Sequence, residues 1–210
     1  HRNSDVESFM DAAEYLSNRG YYCIRMGHLI EKPLTRSSKR IIDYATNFRT
    51  DFGDIYLSAK CRFFIGDPTG IIFVPSMFNK PVISVNLIPF GGTVPFYSKD
   101  LYIPKKFWYR QEERYLTYTE LLESRMLEWG QYEFNYRELG VDIINNTPEE
   151  ILDVAREMDL RLSGKLMDTD EDIAIMERYN SLFVPEDTPY GAPSRIGLDF
   201  LNKNRHLFGF

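Results

Sequence analysis

The stretch Cys61-Arg62-Phe63-Phe64-Ile65-Gly66-Asp67-Pro68-Thr69-Gly70, followed by Pro81-Val82-Ile83-Ser84-Val85-Asn86, decides the fold. Its first half is an apolar run that stops at glycine and turns through Asp-Pro-Thr-Gly. That reads as a strand over 61–65, a turn, and a helix over 71–78 closed by Asn79-Lys80. Its second half, 81–86, is a further strand. Apolar runs without alternation suit strands covered on both faces. Strands separated by a helix favour a parallel sheet with right-handed crossovers. An α/β, Rossmann-like parallel sheet flanked by helices is expected.

The same pattern extends outward. Upstream, Val6, Phe9, Met10, Ala13 and Leu16 recur at helical spacing over 5–18, closed by Arg19-Gly20. A strand over 21–26 ends at Gly27. A mixed basic segment holds a short strand at 41–44, and a helix follows over 52–60. Downstream, 89–110 reads as one long Gly/Pro/aromatic loop, a length that is usually functional. Helices are expected over 119–128, from Thr147-Pro148-Glu149-Glu150 to Leu162, and over 168–183, with a strand at 141–144. The tail from Pro185 is Pro/Gly-rich, then apolar. Two units result: a Rossmann-like lobe over 1–165 and a helical extension over 166–210 packed upon it.

Composition narrows the function classes. The 210 residues are 43% hydrophobic, and 31 acids outnumber 25 bases for a net charge of −6. That argues against a chain-wide basic surface for nucleic acid. Two cysteines, Cys23 and Cys61, form neither a CxxC pair nor a disulfide framework, so a reduced, intracellular setting is expected. No run approaches the ~18 apolar residues of a membrane span. No signal peptide is evident. The first residue is His1, which reads as the start of a piece of a longer protein. The 15% aromatic content points to a filled core, with Tyr44, Phe90 and Trp108 as candidates for stacking on a base.

Ligands of open α/β sheets bind beyond the carboxyl ends of the strands. Three such ends are visible: Arg25-Met26-Gly27-His28, the 66–70 turn, and Asn86-Leu87-Ile88-Pro89. The 66–70 turn exposes backbone N–H groups at a helix start, which suits phosphate, and Thr69 adds a hydroxyl. Asp67 opposes a bare phosphate, so it caps the helix or contacts a sugar. The plain alternative is a tight turn with Asp67 as N-cap. Arg25 either clamps a diphosphate or forms a structural ion pair. His28 is one of three histidines and reads more readily as a surface residue than as a catalyst. Lys105-Lys106 ends the long loop and either swings onto an anion or stays a solvated pair.

Several short matches fail. Asp51-Phe52-Gly53 copies the kinase metal triplet without the loops that go with it. Asp168-Thr169-Asp170 suits helix capping better than a metal-binding DxD. Neither GxGxxG nor GxxxxGK[ST] occurs, and no His/Cys/acid group has zinc spacing, so no metal and no cofactor are expected. Asn145-Asn146-Thr147 is a glycosylation sequon followed by Pro148 and is set aside.

Three segments together resemble a family of bacterial glycosyltransferases. They are Arg2-Asn3-Ser4-Asp5 leading to Gly20-Tyr21 and Ile24-Arg25-Met26-Gly27; Asp54 to Ala59 with Cys61 to Gly66 and Thr69-Gly70; and Phe78-Asn79-Lys80-Pro81-Val82 with Val85-Asn86. Similarity continues through Ile103-Pro104-Lys105, Asn146 to Ile151, Glu157-Met158 and Phe200-Leu201. A more distant likeness is to fucosyltransferases. The resemblance implies the C-terminal, donor-binding lobe of a two-lobed GT-B enzyme, with no metal and the other lobe outside this chain. By position, Arg25 and Thr69-Gly70 match places where such enzymes hold donor phosphates, and Asp54 and Asn86 match polar positions near the nucleotide or sugar. Taken with the strand-end reading, the donor- and phosphate-binding residues expected are Arg25, Gly27, Asp67, Thr69, Gly70 and Asn86, with Asp54, His28 and Lys105 as further candidates. No catalytic residue is assigned. The family's turn usually carries Ser-Gly; here it is Thr69-Gly70, which keeps a hydroxyl.

The expected function is therefore transfer of a sugar from a nucleotide-sugar to a glycan or lipid-linked acceptor. The resemblance implies bacterial surface polysaccharide synthesis, in the cytoplasm or peripheral to the inner membrane. The alternatives are a non-catalytic binding or scaffold domain with the same fold, and a sugar-nucleotide epimerase.

Overall fold

The fold, obtained as a computed structural model, is described for residues 5–28, 30, 32–92, 94–124 and 133–210, with the backbone alone at 133–135. A 3-10 turn (Val6–Phe9) runs into α1 (Met10–Asn18), then β1 (Cys23–Ile24), β2 (Ile41–Ile42), α2 (Tyr44–Asn47) and α3 (Asp51–Lys60). β3 (Phe64–Gly66) leads through a 3-10 turn (Gly70–Ile72) to α4 (Phe73–Met77) and β4 (Val82–Leu87). Next come β5 (Leu101–Pro104), β6 (Lys106–Tyr109), β7 (Arg114–Tyr115), α5 (Tyr118–Glu123), α6 (Glu133–Glu138) and β8 (Val141–Ile144). The chain closes with α7 (Pro148–Leu162), α8 (Asp170–Asn180), β9 (Arg195–Ile196), α9 (Leu198–Lys203) and a 3-10 turn (Arg205–Phe208).

Local chemistry explains where the helices begin. Thr50, Thr117, Thr147 and Thr169 each accept the N–H three residues on, and the last three complete reciprocal capping boxes with Glu120, Glu150 and Asp172. Pro148 then occupies the first helical position, where no amide donor is needed.

The main sheet is parallel throughout, in the order β3-β4-β5-β9. β4 is buried at all its positions, as an unalternating strand requires. Successive side chains of β5 show that both faces are covered. The Tyr102 hydroxyl meets that of Tyr179 on α8 at 3.0 Å. Ile103 points the other way, onto Gly197 and Val154 of α7, where a β-carbon on Gly197 would lie 2.9 Å from Ile103. β1 and β2 form a separate parallel pair, and β7-β6-β8 an antiparallel sheet.

The parallel, helix-flanked sheet agrees with the expected α/β class. Several details differ. The segment 89–110 is not one loop: it contains β5, a central strand of the main sheet, and β6. Glycines, prolines and aromatics mask a strand whose side chains are buried on both faces. The helix expected over 71–78 opens as a 3-10 turn, and the strand expected over 61–65 starts at Phe64. The helix expected over 119–128 spans Tyr118–Glu123, and positions 125–128 lie outside the described residues. The segment 166–210 does more than pack as a helical extension, because it threads β9 into the main sheet beside β5.

Phe90, expected as a stacking candidate, is core. Its ring lies 4.3 Å from that of Tyr118 and 5.6 Å from that of Phe183, and Tyr118 stacks on Phe208 at 4.5 Å. Tyr44 is also buried, its hydroxyl donating to the Thr50 carbonyl and accepting the Thr50 N–H, both at 2.9 Å. Trp108 sets its ring edge-on to Tyr115 across β6 and β7.

Candidate functional site

The carboxyl ends of β3, β4 and β5 form a polar crest. Its layout follows from register. Gly66 pairs with Ser84, so Asp67 falls beside the part of β4 that runs on past β3. Between β4 and β5 the register slips, with Ser84 opposite Tyr102 but Leu87 opposite Pro104. One extra residue is therefore accommodated in β4. Asn86 takes up the slack in the left-handed region at φ 54°, where asparagine is among the few tolerated side chains.

A bulge leaves backbone groups without ladder partners, and buried groups need them. The Asn86 N–H donates to Asn146 Oδ1 at 2.6 Å, and the Asn146 N–H donates to Asn86 Oδ1 at 2.6 Å. Asn86 Nδ2 donates to Asp67 Oδ1 at 2.9 Å, and Asn146 Nδ2 donates to the Pro104 carbonyl at 2.9 Å. This clasp joins the mouths of β3, β4 and β5 to the β8–α7 connection. Lys105, 2% exposed, donates from Nζ to Asn145 Oδ1 at 2.6 Å, while Lys106 reaches Glu150 at 2.7 Å. Asp67 is thus not the N-cap of the following helix. Thr69 stands at that position, and its hydroxyl makes no capping bond. Lys105 is not a solvated loop residue but a buried one at the β5–β6 junction. Asn86 spends its side chain on the clasp.

A cavity of about 200 Å³ opens beside the crest. Pro68, Ile72 and Phe73 form one wall, Ile88, Pro89 and Val94 contribute to the other, and Val82 and Ser84 of β4 line it as well. Phe73 and Phe96 flank it with their ring centroids 6.0 Å apart, 44% and 53% exposed. Thr69 and Gly70 also line it, and a β-carbon on Gly70 would meet no atom within 4 Å, so the turn is open to an approaching group.

The remaining expected residues sit elsewhere. Arg25 follows β1, in the two-stranded sheet, and takes the structural ion pair: Nη1 lies 3.3 Å from Asp43 Oδ2 and donates to the Lys32 carbonyl at 2.9 Å. Burial alone would raise the Asp43 pKa, but N–H groups of Leu34 and Thr46 together with Arg25 hold it below its ordinary value. Gly27 packs near Ala45 and Ile30. His28 is exposed. Asp54, on α3, pairs with Arg49 at 2.9 Å. The structure therefore gathers Asp67, Thr69, Gly70, Asn86 and Lys105 at one end of the sheet and leaves Arg25, Gly27, His28 and Asp54 on other elements.

Three contributors went unforeseen. Asn146 stands in the sequence only within the dismissed sequon and at the start of a stretch of family similarity, with no site role, although a polar pair directly before a helix cap marks a connection with work to do. Ser84 was the one polar residue inside the apolar run 82–85. Phe96 lay within the supposed loop. Among the described residues no group of three or more His, Cys, Asp or Glu side chains is placed to hold a metal, and no helix is long and apolar enough to cross a membrane.

The fold and crest define a class: an α/β protein whose four-stranded parallel sheet is flanked by helices, compatible with a Rossmann-like sheet, with a polar crest at its carboxyl edge. Comparison of the chain with known family models, curated proteins and solved structures finds no match.

Proposed function

We propose that the chain is the nucleotide-sugar-binding lobe of a glycosyl-transfer enzyme. The observation that carries this reading is the open Thr69-Gly70 turn at the mouth of β3, with an uncommitted hydroxyl and N–H groups at the start of the 70–77 helical segment. Donors so placed stabilise negative charge developing on a departing diphosphate. Asn86, which the resemblance implies lies near the nucleotide or sugar, borders the turn through its hydrogen bond to Asp67. The acceptor, a glycan or lipid-linked sugar, would approach from the lobe outside this chain.

Calorimetric titration with UDP, GDP, CDP and ADP tests the reading. Binding to one of them is expected, weakened roughly ten-fold by Thr69→Ala, the cost of a hydrogen bond to a charged group. No binding to any of the four by folded chain refutes it.

A second reading, a binding or scaffold domain without chemistry, is favoured by one specific observation. Arg25, the cation expected to clamp the diphosphate, is engaged by Asp43 and the Lys32 carbonyl. Sugar transfer by a protein carrying both lobes eliminates that reading.

A further inference from the structure

The opposite end of the main sheet holds a second cavity, of about 260 Å³, between the segments 79–81 and 97–100 that lead into β4 and β5. None of its lining residues belongs to the crest or to the Thr69-Gly70 turn. One carboxylate fixes its walls. Asp100, fully buried, accepts the Val82 N–H on Oδ1 and the Tyr97 N–H on Oδ2, both at 2.9 Å, which ties the two segments together. Each wall carries a cation. Ile83 pairs with Leu101, and continuing that register sets Lys99 beside Pro81, one residue from Lys80. Lys106 and Lys203 each hold a glutamate, but neither Lys80 nor Lys99 has a carboxylate in ion-pair reach among the described residues. Asn79, Tyr97 and Ser98 line the same space, with Tyr97 42% exposed.

We infer that this cavity binds a small phosphomonoester, a sugar-sized ring whose phosphate dianion Lys80 and Lys99 hold from two sides. Charge, size and lining each contribute. Two like charges on adjacent strands repel, and a dianion between them turns that repulsion into attraction. Lysine serves phosphate as a compact point charge, and a monocarboxylate would leave one of the pair unanswered. The Asp100 carboxylate does not compete, since both its oxygens are engaged by backbone N–H groups. A cavity of about 150 Å³ holds benzene, so this one has room for a six-membered ring with a phosphate attached. The Tyr97 ring offers an apolar face to the C–H side of a sugar, and the Asn79 amide and Ser98 hydroxyl suit its hydroxyls. The inference does not rest on the diphosphate reading, because the two sites lie at opposite ends of the strands.

The test titrates the full chain with glucose 6-phosphate, glucuronate and glucose, following calorimetry and the backbone amide shifts of Ser98 and Lys99 against those of Thr69 and Gly70. Glucose 6-phosphate is expected to bind and to move Ser98 and Lys99, with glucuronate at least about five-fold weaker and glucose weaker still. Lys80→Gln and Lys99→Gln are each expected to weaken glucose 6-phosphate about five-fold or more, with thermal unfolding establishing that both variants are folded. Vesicles of phosphatidylcholine and phosphatidic acid present the same phosphate on a lipid, and no co-sedimentation is expected. The inference is overturned if glucose 6-phosphate fails to bind at millimolar concentration, if glucuronate or glucose matches it, if the shifts fall at Thr69 and Gly70 instead, if either folded variant keeps the parent affinity, or if the vesicles carry the protein down. The amide shifts report each end of the sheet separately, so failure of the nucleotide titration leaves this result standing, and the reverse.

Discussion

Replacing Asn146 by alanine probes the clasp that builds the crest. The change removes Oδ1, the acceptor of the Asn86 N–H at 2.6 Å, and Nδ2, the donor to the Pro104 carbonyl at 2.9 Å. Both stranded groups lie inside the protein, with Asn86 1% exposed. Each buried group left without a partner costs about 1–3 kcal/mol. The sum falls at the lower end because a carbonyl tolerates under-satisfaction better than an N–H does, giving about 2–5 kcal/mol. Urea unfolding measures this directly. With a slope of about 1–3 kcal/mol per molar, the midpoint should fall by roughly 1–2 M while the slope stays unchanged. An Asn146→Ala protein within about 0.5 kcal/mol of the parent would behave like a surface variant and refute the clasp.

Two further perturbations test the fold away from the crest. Gly197→Ala would place a β-carbon 2.9 Å from Ile103 and 3.2 Å from Val154, so it should destabilise by about 1–3 kcal/mol in thermal or urea unfolding. Asp168 is held below its ordinary pKa of 3.8, first by its hydrogen bond from Arg195 and then by Arg161. A lowered carboxyl pKa contributes stability that is present above the unfolded value and lost as the pH falls through the folded one. Stability should therefore decline below about pH 4, and Asp168→Asn should be weaker at neutral pH but show a flatter acid limb in urea unfolding across a pH series.

The parts of the fold that were legible in the sequence are those where a local rule and the tertiary context agree. Thr147-Pro148-Glu149-Glu150 carries its own cap, box and first-turn proline, and the helix over 148–162 forms where those rules place it. β4 reads as a strand because its β-branched run Val82-Ile83-Ser84-Val85, interrupted only by a small serine and bounded by Pro81 and Asn86, favours extended backbone. β5 fails the same reading for a physical reason. Leu101-Tyr102-Ile103 is as apolar as β4, but Pro104 closes it, Lys105-Lys106 follow, and Gly91, Gly92, Pro89 and Pro95 precede it. Nothing local shows that Pro104 sits at the last position of the strand, where its missing N–H matters least. Nor does anything local show that Lys105 is buried, since the group that receives its ammonium, Asn145, lies forty residues away in the chain. β9 is two residues long, and its pairing with β5 is visible only once the sheet exists.

The site was legible to the same degree and for the same reasons. The rule that ligands gather at the carboxyl ends of parallel strands located the crest, because it depends only on strands β3 and β4 and the turn between them. It could not say which strand ends share a crest. Arg25 ends a strand too, but β1 pairs with β2 rather than with β3, and Asp43, eighteen residues on, supplies the carboxylate that engages it. The bulge at Asn86 was equally hidden, since it exists only as a mismatch between the registers of β4 and β5. Yet the bulge sets the site. Without the extra residue, Asn86 would be an ordinary ladder position with its N–H turned to a neighbouring strand. With it, the N–H is freed for Asn146, the side chain spans from Asp67 to the β8–α7 connection, and three strand mouths become one surface. Distant residues thus compose the crest, and short-range pattern reading recovers its members one at a time but not their assembly.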